Sequence, residues 1–297
     1  MQPAPNGIII QIEPFVPHAY ESLEAADQAT FSSESYAECI NWYNNVNDVQ
    51  FLKINYMSDG LKVIGLIARP IIQANKKYPV IVYNRGGTGN SGKNTIANLK
   101  EVFYPLTQAG YVVLASQYRG NDGGQGKDEL GGSDVNDVAA LFDIIHTIDY
   151  LDKENIFMFS YSRGGLMTYQ ILRRKFPVKA AAVTCGITDL IEFEKAFPYA
   201  KRIFESMIPN LPEHRDSEYQ KRSVMYWPEA INVPLLLLHA SDDSVVNVKQ
   251  AQTLAAKLTE LGKPHELVIY PHGDHALTEY RPAINQRVIA WFARYKE

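Results

Sequence analysis

The feature that most constrains this chain is an alternation. Short apolar runs are separated by longer stretches with helical periodicity. The runs are Pro79–Asn84 (PVIVYN), Tyr111–Ser116 (YVVLAS), Asn155–Ser160 (NIFMFS), Lys179–Thr184 (KAAAVT), Val233–His239 (VPLLLLH) and His265–Tyr270 (HELVIY). Helices are expected near 94–109, 134–151, 163–175, 247–261 and 279–295. A strand with one wet face alternates apolar and polar residues, whereas a continuously apolar strand is covered on both faces. Such strands separated by helices imply an α/β fold, a mostly parallel sheet with helices on both sides. Upstream, Phe51–Tyr56 and Leu61–Ala68 flank Ser58-Asp59-Gly60. Asp-Gly between two β-rich runs predicts an antiparallel hairpin. Residues 187–232 break the alternation with Phe, Tyr, Pro and charge, and are read as a helical cap inserted in a domain spanning 51–297. Residues 1–50 are weakly patterned and read as a partly helical N-terminal extension.

Composition excludes several function classes. A chain of 297 residues, 46% of them hydrophobic, buries enough surface to fold without a disulfide or metal staple. The formal net charge is −4, and without long basic runs no nucleic-acid surface is expected. Cys39 and Cys185 are the only cysteines and form neither a disulfide framework nor a metal-ligand pair. Ile8 to Ile10 is too short for the core of an export signal. No stretch approaches the roughly 18 apolar residues of a spanning helix. The expectation is a cytoplasmic protein without membrane partner, metal or organic cofactor.

One turn carries a chemical signature. The run Asn155–Ser160 leads into Ser160-Tyr161-Ser162-Arg163-Gly164-Gly165 and then a helical pattern. Strand, sharp turn bearing Ser, then helix is the context of the G-x-S-x-G nucleophile elbow. Gly164 and Gly165 supply the small residues needed where the helix packs behind the turn. Ser160 replaces the first glycine. In that fold the order is Ser, acid, His. The run Val233–His239 ends at Asp242 and Asp243, and the last run ends at His272 and His275. Loops past the C-terminal ends of parallel strands are where such sheets place their sites. Sequence alone leaves Asp242 against Asp243 and His272 against His275. The four together lack a dedicated metal-ligand spacing. His239, at a strand end, is read as structural.

These segments together resemble the catalytic domain of the prolyl oligopeptidase family of serine hydrolases, peptidase family S9. The resemblance runs from about Phe51 to the C-terminus. It rests on the hairpin at Ser58-Asp59-Gly60, Tyr83-Asn84-Arg85-Gly86-Gly87, Tyr118-Arg119-Gly120-Asn121-Asp122-Gly123-Gly124 and Ser162-Arg163-Gly164-Gly165. Arg222-Ser223, the loop His239 to Val246 and Gly273-Asp274-His275 complete it. The family's acid loop reads His-Gly-x-x-Asp-x-x-Val. The resemblance therefore implies an α/β-hydrolase fold with Ser162 as nucleophile, Asp243 as acid and His275 as base. Ala240 stands where that loop has Gly.

The resemblance also implies an oxyanion site at Arg85, Gly86 and Arg163. Arg85 stands where some members carry a Tyr hydroxyl donor, and its guanidinium is expected to hold an oxyanion or substrate carboxylate, or to be ion-paired while backbone N–H groups do the work. The other donor is the Arg163 N–H. Tyr161 and Arg163 are candidates to line the pocket. Arg119 and Asp122 are read as structural. The implied activity is cleavage of a small peptide or ester. The alternatives are a carboxylesterase of small acyl esters and a non-catalytic binding protein of this fold. A β-propeller of 4–8 blades needs about 160–360 residues, so the residues before the hairpin are expected to hold none.

Overall fold

The computed structural model describes residues 6–17 and 36–297. Its centre is a nine-stranded sheet in the order β1-β2-β3-β5-β4-β6-β7-β8-β9. The strands are β1 (Ile9–Pro14), β2 (Val49–Ser58), β3 (Leu61–Pro70), β4 (Tyr78–Asn84), β5 (Val112–Ser116), β6 (Leu151–Tyr161), β7 (Ala180–Thr184), β8 (Leu235–Ala240) and β9 (His265–Tyr270). β1, β2 and β3 pair antiparallel, and β3 joins β5 antiparallel. From β5 to β9 every pair is parallel. β4, β5, β7 and β8 are buried along their whole length, which is why their sequences are apolar without alternation.

The predicted hairpin is β2–β3, with Ser58 opposite Leu61. Asp59 and Gly60 both adopt positive φ, 50° and 75°, as a two-residue turn matched to strand twist demands. The strand β1 was not expected. The sequence reading placed no strand before Phe51, yet Ile9–Pro14 pairs with β2, Ile12 opposite Ile54. An edge strand buries little: Ile10 and Ile12 are about half exposed. Its pattern therefore carries no core signature. The helical part of the extension is α1 (Tyr36–Asn45).

Helices cover both faces. The segment α2 (96–108) contains a π-helical stretch, Leu99–Phe103. Also flanking the sheet are α3 (Val135–Thr147) and α4 (Gly164–Arg173). Val80 and Val82 of β4 share a core with Leu141, Ile144, Met167 and Ile171 of α3 and α4. Ile81 and Tyr83, pointing the other way, share one with Leu99 and Phe103 of α2 and the C-terminal residues Trp291 and Phe292. Strand alternation thus sorts neighbouring residues into two cores.

The segment between β7 and β8, the cap, holds α5 (Leu190–Ala196), α6 (Ala200–Met207) and α7 (Leu211–Arg222). Asp189 caps α5 by accepting the Ile191 and Glu192 N–H groups, a contribution of about 1 kcal/mol. Phe193, Phe204, Leu211 and Tyr219 pack with Leu166 of α4 and with Val246. The cap therefore rests on the elbow helix and on the acid loop. Helices α8 (Lys249–Glu260) and α9 (Arg281–Ala293) close the chain. Among the described residues no helix is long and apolar enough to cross a membrane.

Candidate active site

The turn between β6 and α4 is strained where chemistry would need it. Ser162 has φ 53°, a left-handed conformation costly for a residue with a Cβ. It is held by its N–H bond to the Thr184 carbonyl, 2.8 Å. A Cβ on Gly164 would lie 2.0 Å from the Asn84 carbonyl oxygen, so the helix can pack this closely only with glycine there. Ser160 fits in place of the first motif glycine, fully buried and with its hydroxyl facing the Ala182 carbonyl at 3.4 Å.

Three side chains from three strand ends meet at this turn. His275 Nε2 lies 2.9 Å from Ser162 Oγ. His275 Nδ1 lies 2.8 Å from Asp243 Oδ2. A carboxylate only accepts, so the imidazole proton sits on Nδ1 and Nε2 is free to accept from the Ser162 hydroxyl. Asp243 Oδ1 accepts the N–H groups of Val245 and Val246, at 2.9 and 2.8 Å. Burial pushes the Asp243 pKa up, but bonds from His239, His275 and the Val246 N–H outweigh it. The carboxyl is held far below its ordinary value and stays ionised. The Tyr161 hydroxyl donates to the His275 carbonyl and fixes the loop that carries the imidazole. The other pair left open by the sequence, His272 and Asp242, meets at 2.9 Å on the surface, away from Ser162.

The oxyanion side departs from expectation. Arg85 does not offer its guanidinium to a ligand. It is fully buried and donates to the backbone carbonyls of Gln117, Gly86, Gly89 and Ser91. Burial, with Arg163 nearby, lowers its pKa to about 10. It is a staple for the loop after β4, and among the described residues it has no ion-pair partner. Arg163 does not line a pocket with its side chain either. That guanidinium is buried against Asp128, 2.7 Å, and Asp134, 2.6 Å. What reaches the site is backbone. Gly86 lies so close that a Cβ on it would be 3.1 Å from Ser162 Cβ. Among the described residues, the N–H groups of Gly86 and Arg163 have no backbone acceptor.

Residues the sequence reading missed hold this side together. Two guanidiniums, those of Arg85 and Arg163, lie over the Tyr118 ring, each 4.8 Å from its centroid. Its hydroxyl donates to the Arg85 carbonyl. Burial raises the Asp134 pKa to about 6, opposed by Arg163 and reinforced by Asp128. Asp128 meets the same burial, but Arg163 outweighs it and brings the carboxyl down to about 2. In the sequence both carboxylates look like ordinary loop residues, because nothing local marks them as buried. Arg119 is structural, as read, pairing with Asp137 and Asp59 at 2.7 and 2.8 Å. His239, read as structural, has its Nε2 3.3 Å from Asp243 Oδ2.

The four residues weighed as a metal set split into the two His–Asp pairs above. Among the described residues, a different trio offers ligand atoms within 4.8 Å of one another: Cys185, His239 and Asp243. Asp243 Oδ2 and His239 Nε2 are already engaged in hydrogen bonds.

The chain is 29% identical over 242 residues to an uncharacterized peptidase of Bacillus subtilis, YtmA, covering 81% of this chain and 91% of that one. Its fold superposes on the acylaminoacyl peptidase of Pyrococcus horikoshii with TM-score 0.73 at 21% identity, covering 89% of this chain and 44% of that one. A puromycin-hydrolyzing peptidase of Mycobacterium tuberculosis gives TM-score 0.70 at 22% identity, over 80% of this chain and 38% of that one. This chain thus spans less than half the length of either solved structure. These likenesses identify the fold as the α/β-hydrolase fold. The sequence profile of the prolyl oligopeptidase family matches residues 97–297, a span that holds the elbow, the acid loop and the base loop, and the chain belongs to that family of serine hydrolases.

Proposed function

We propose that this chain is a serine peptidase that cleaves amide or ester bonds of small peptide substrates through a Ser162 acyl-enzyme. The observation that carries the reading is the continuous hydrogen-bonded series Ser162 Oγ, His275, Asp243 at 2.9 and 2.8 Å. His275 Nε2 takes the Oγ proton as Ser162 attacks the carbonyl carbon. The protonated imidazole is stabilised by ionised Asp243 and passes its proton to the leaving amine or alcohol. Water, activated by the same nitrogen, then releases the acyl group. The N–H groups of Gly86 and Arg163 receive the oxyanion, and losing one such donor typically costs about 10²–10³ in rate. The reading favours peptides because the named relatives are peptidases. It favours small ones because the cap packs onto both the elbow helix and the acid loop.

The test is a panel of aminoacyl and N-acyl-aminoacyl p-nitroanilides beside p-nitrophenyl esters, run on the wild type and Ser162→Ala. Anilide hydrolysis that disappears in the variant is expected. Turnover confined to short acyl esters would replace the peptidase reading with a carboxylesterase. A folded protein that turns over none of them and takes no fluorophosphonate would point to a binding protein of this fold.

A further inference from the structure

His239 is the fourth polar group around the nucleophile's acid, and nothing in the reaction above uses it. It sits on β8, fully buried, at the start of the loop that bears Asp243. Its Nε2 lies 2.7 Å from the Val246 carbonyl oxygen and 3.3 Å from Asp243 Oδ2. Both neighbours are acceptors, so the proton sits on Nε2 and is shared between them. Nδ1 is then a bare lone pair, and among the described residues it has no hydrogen-bond partner. An apolar residue at this place would avoid burying an unpartnered polar atom, which costs stability.

The donors to Asp243 differ in what they are attached to. The N–H groups of Val245 and Val246 belong to the acid's own loop and move with it. His275 comes from the loop after β9. The His239 donor is rooted in a central, buried strand. The Cys185 thiol, just past β7, also faces the carboxylate; burial and that negative charge push its pKa well up, so it stays protonated. Both His239 and Cys185 are rooted at the sheet, but a thiol is a weak donor, whereas His239 also holds the Val246 carbonyl at the far end of the acid loop.

We propose that His239 is a positioning residue for the acid. Its Nε2–H pins the Val246 carbonyl to β8 and sets the carboxylate rotation that turns Oδ2 toward His275. This rests on the reading of Ser162, His275 and Asp243 as the triad. A displacement of the order of 1 Å in such a group costs up to about 10²-fold in rate.

Two amides of different length test it in the full chain. In His239→Gln the side-chain nitrogen reaches the place of Nε2. In His239→Asn it reaches only the place of Nδ1. Rates are taken per active site titrated with a fluorophosphonate, so a partly unfolded sample does not mimic a slow one. The expected result is that His239→Asn lowers kcat by about 10- to 100-fold with KM nearly unchanged, and that His239→Gln restores most of it. His239→Leu, of similar size, replaces the Asn variant if that one does not fold. Wild-type kcat per titrated site in the Asn or Leu variant would overturn the proposal, as would an equal loss in Gln and Asn. Absence of probe on Ser162 in the wild type is the separate signal that the triad reading has failed, and the proposal with it.

Discussion

Ser162 stands between two flanks built on different physical principles. On the base side, His275 is partly exposed and held by single hydrogen bonds to Ser162 and Asp243. On the oxyanion side, two guanidiniums, two carboxylates and the Tyr118 ring are buried together. In the proposed reaction the base gains and loses a proton in every cycle, so it needs a mobile charge and a fixed orienting partner. The oxyanion donors of the proposed reaction are backbone N–H groups, which no rotamer can adjust. Their aim depends on the rigidity of the Arg85–Gly86 loop and of the elbow. Arg85 gives that rigidity to the loop by bonding four carbonyls, and Arg163 gives it to the elbow through Asp128 and Asp134. One flank is built for proton transfer and the other for immobility.

That contrast can be broken by substitutions whose effects should fall on different observables. The largest effect belongs to His275→Ala. It should lower kcat by about 10⁶-fold, as in other serine hydrolases stripped of the base, while Tm moves by no more than about 4 °C. A fall of Tm well beyond that would show that His275 also holds the fold.

Arg163→Met should do the reverse. It leaves Asp128 and Asp134 buried without their guanidinium, at a cost of about 3–5 kcal/mol, read as a Tm lower by at least about 6 °C. Adding Asp128→Asn and Asp134→Asn to that variant should recover part of the loss. An unchanged Tm in Arg163→Met would mean that the ion pairs do not brace the elbow.

The smallest effect sharpens the picture within the buried flank. Asp134 has a folded-state pKa near 6 against an ordinary value of 3.8. The folded state therefore binds that proton more tightly. The stability it contributes is complete below about pH 4 and is lost as pH rises to about 6. Asp128 runs the other way: lowered to about 2, it contributes above about pH 4 and loses that as pH falls toward 2. Asp134→Asn removes only the first dependence. Urea unfolding at pH 4 and pH 6.5 should show wild-type stability falling relative to Asp134→Asn as pH rises. A constant difference between the two proteins would place the Asp134 pKa near its ordinary value.

The two flanks were also unequally legible in the sequence. Pattern and order brought forward Ser162, the pair Asp242 and Asp243 and the pair His272 and His275, because each follows an apolar strand and the α/β topology brings strand ends together; the family resemblance pointed to Asp243 and His275 within those pairs. The sheet and its helices were legible for the same reason, apart from β1, whose exposed edge writes no pattern. The oxyanion flank was not. Arg85 was read as a ligand or an ion-pair partner because it stands where some family members carry a Tyr donor, and its burial depends on the Gln117 carbonyl, 32 residues away, that only the folded chain brings near. Asp128 and Asp134 are separated from Arg163 by 35 and 29 residues, and no local periodicity links them. His239 was seen at a strand end, but its bond to Asp243 depends on how the acid loop curls back.

The central claim is that Ser162 is the nucleophile and that His275 activates it. Its most direct test is intact-protein and peptide mass spectrometry after brief exposure to a fluorophosphonate. The account predicts one adduct per chain, on the peptide bearing Ser162. It predicts none in Ser162→Ala, and a rate of labelling reduced by orders of magnitude in His275→Ala. Stoichiometric labelling of folded Ser162→Ala, or an adduct on any other residue of the wild type, would contradict it.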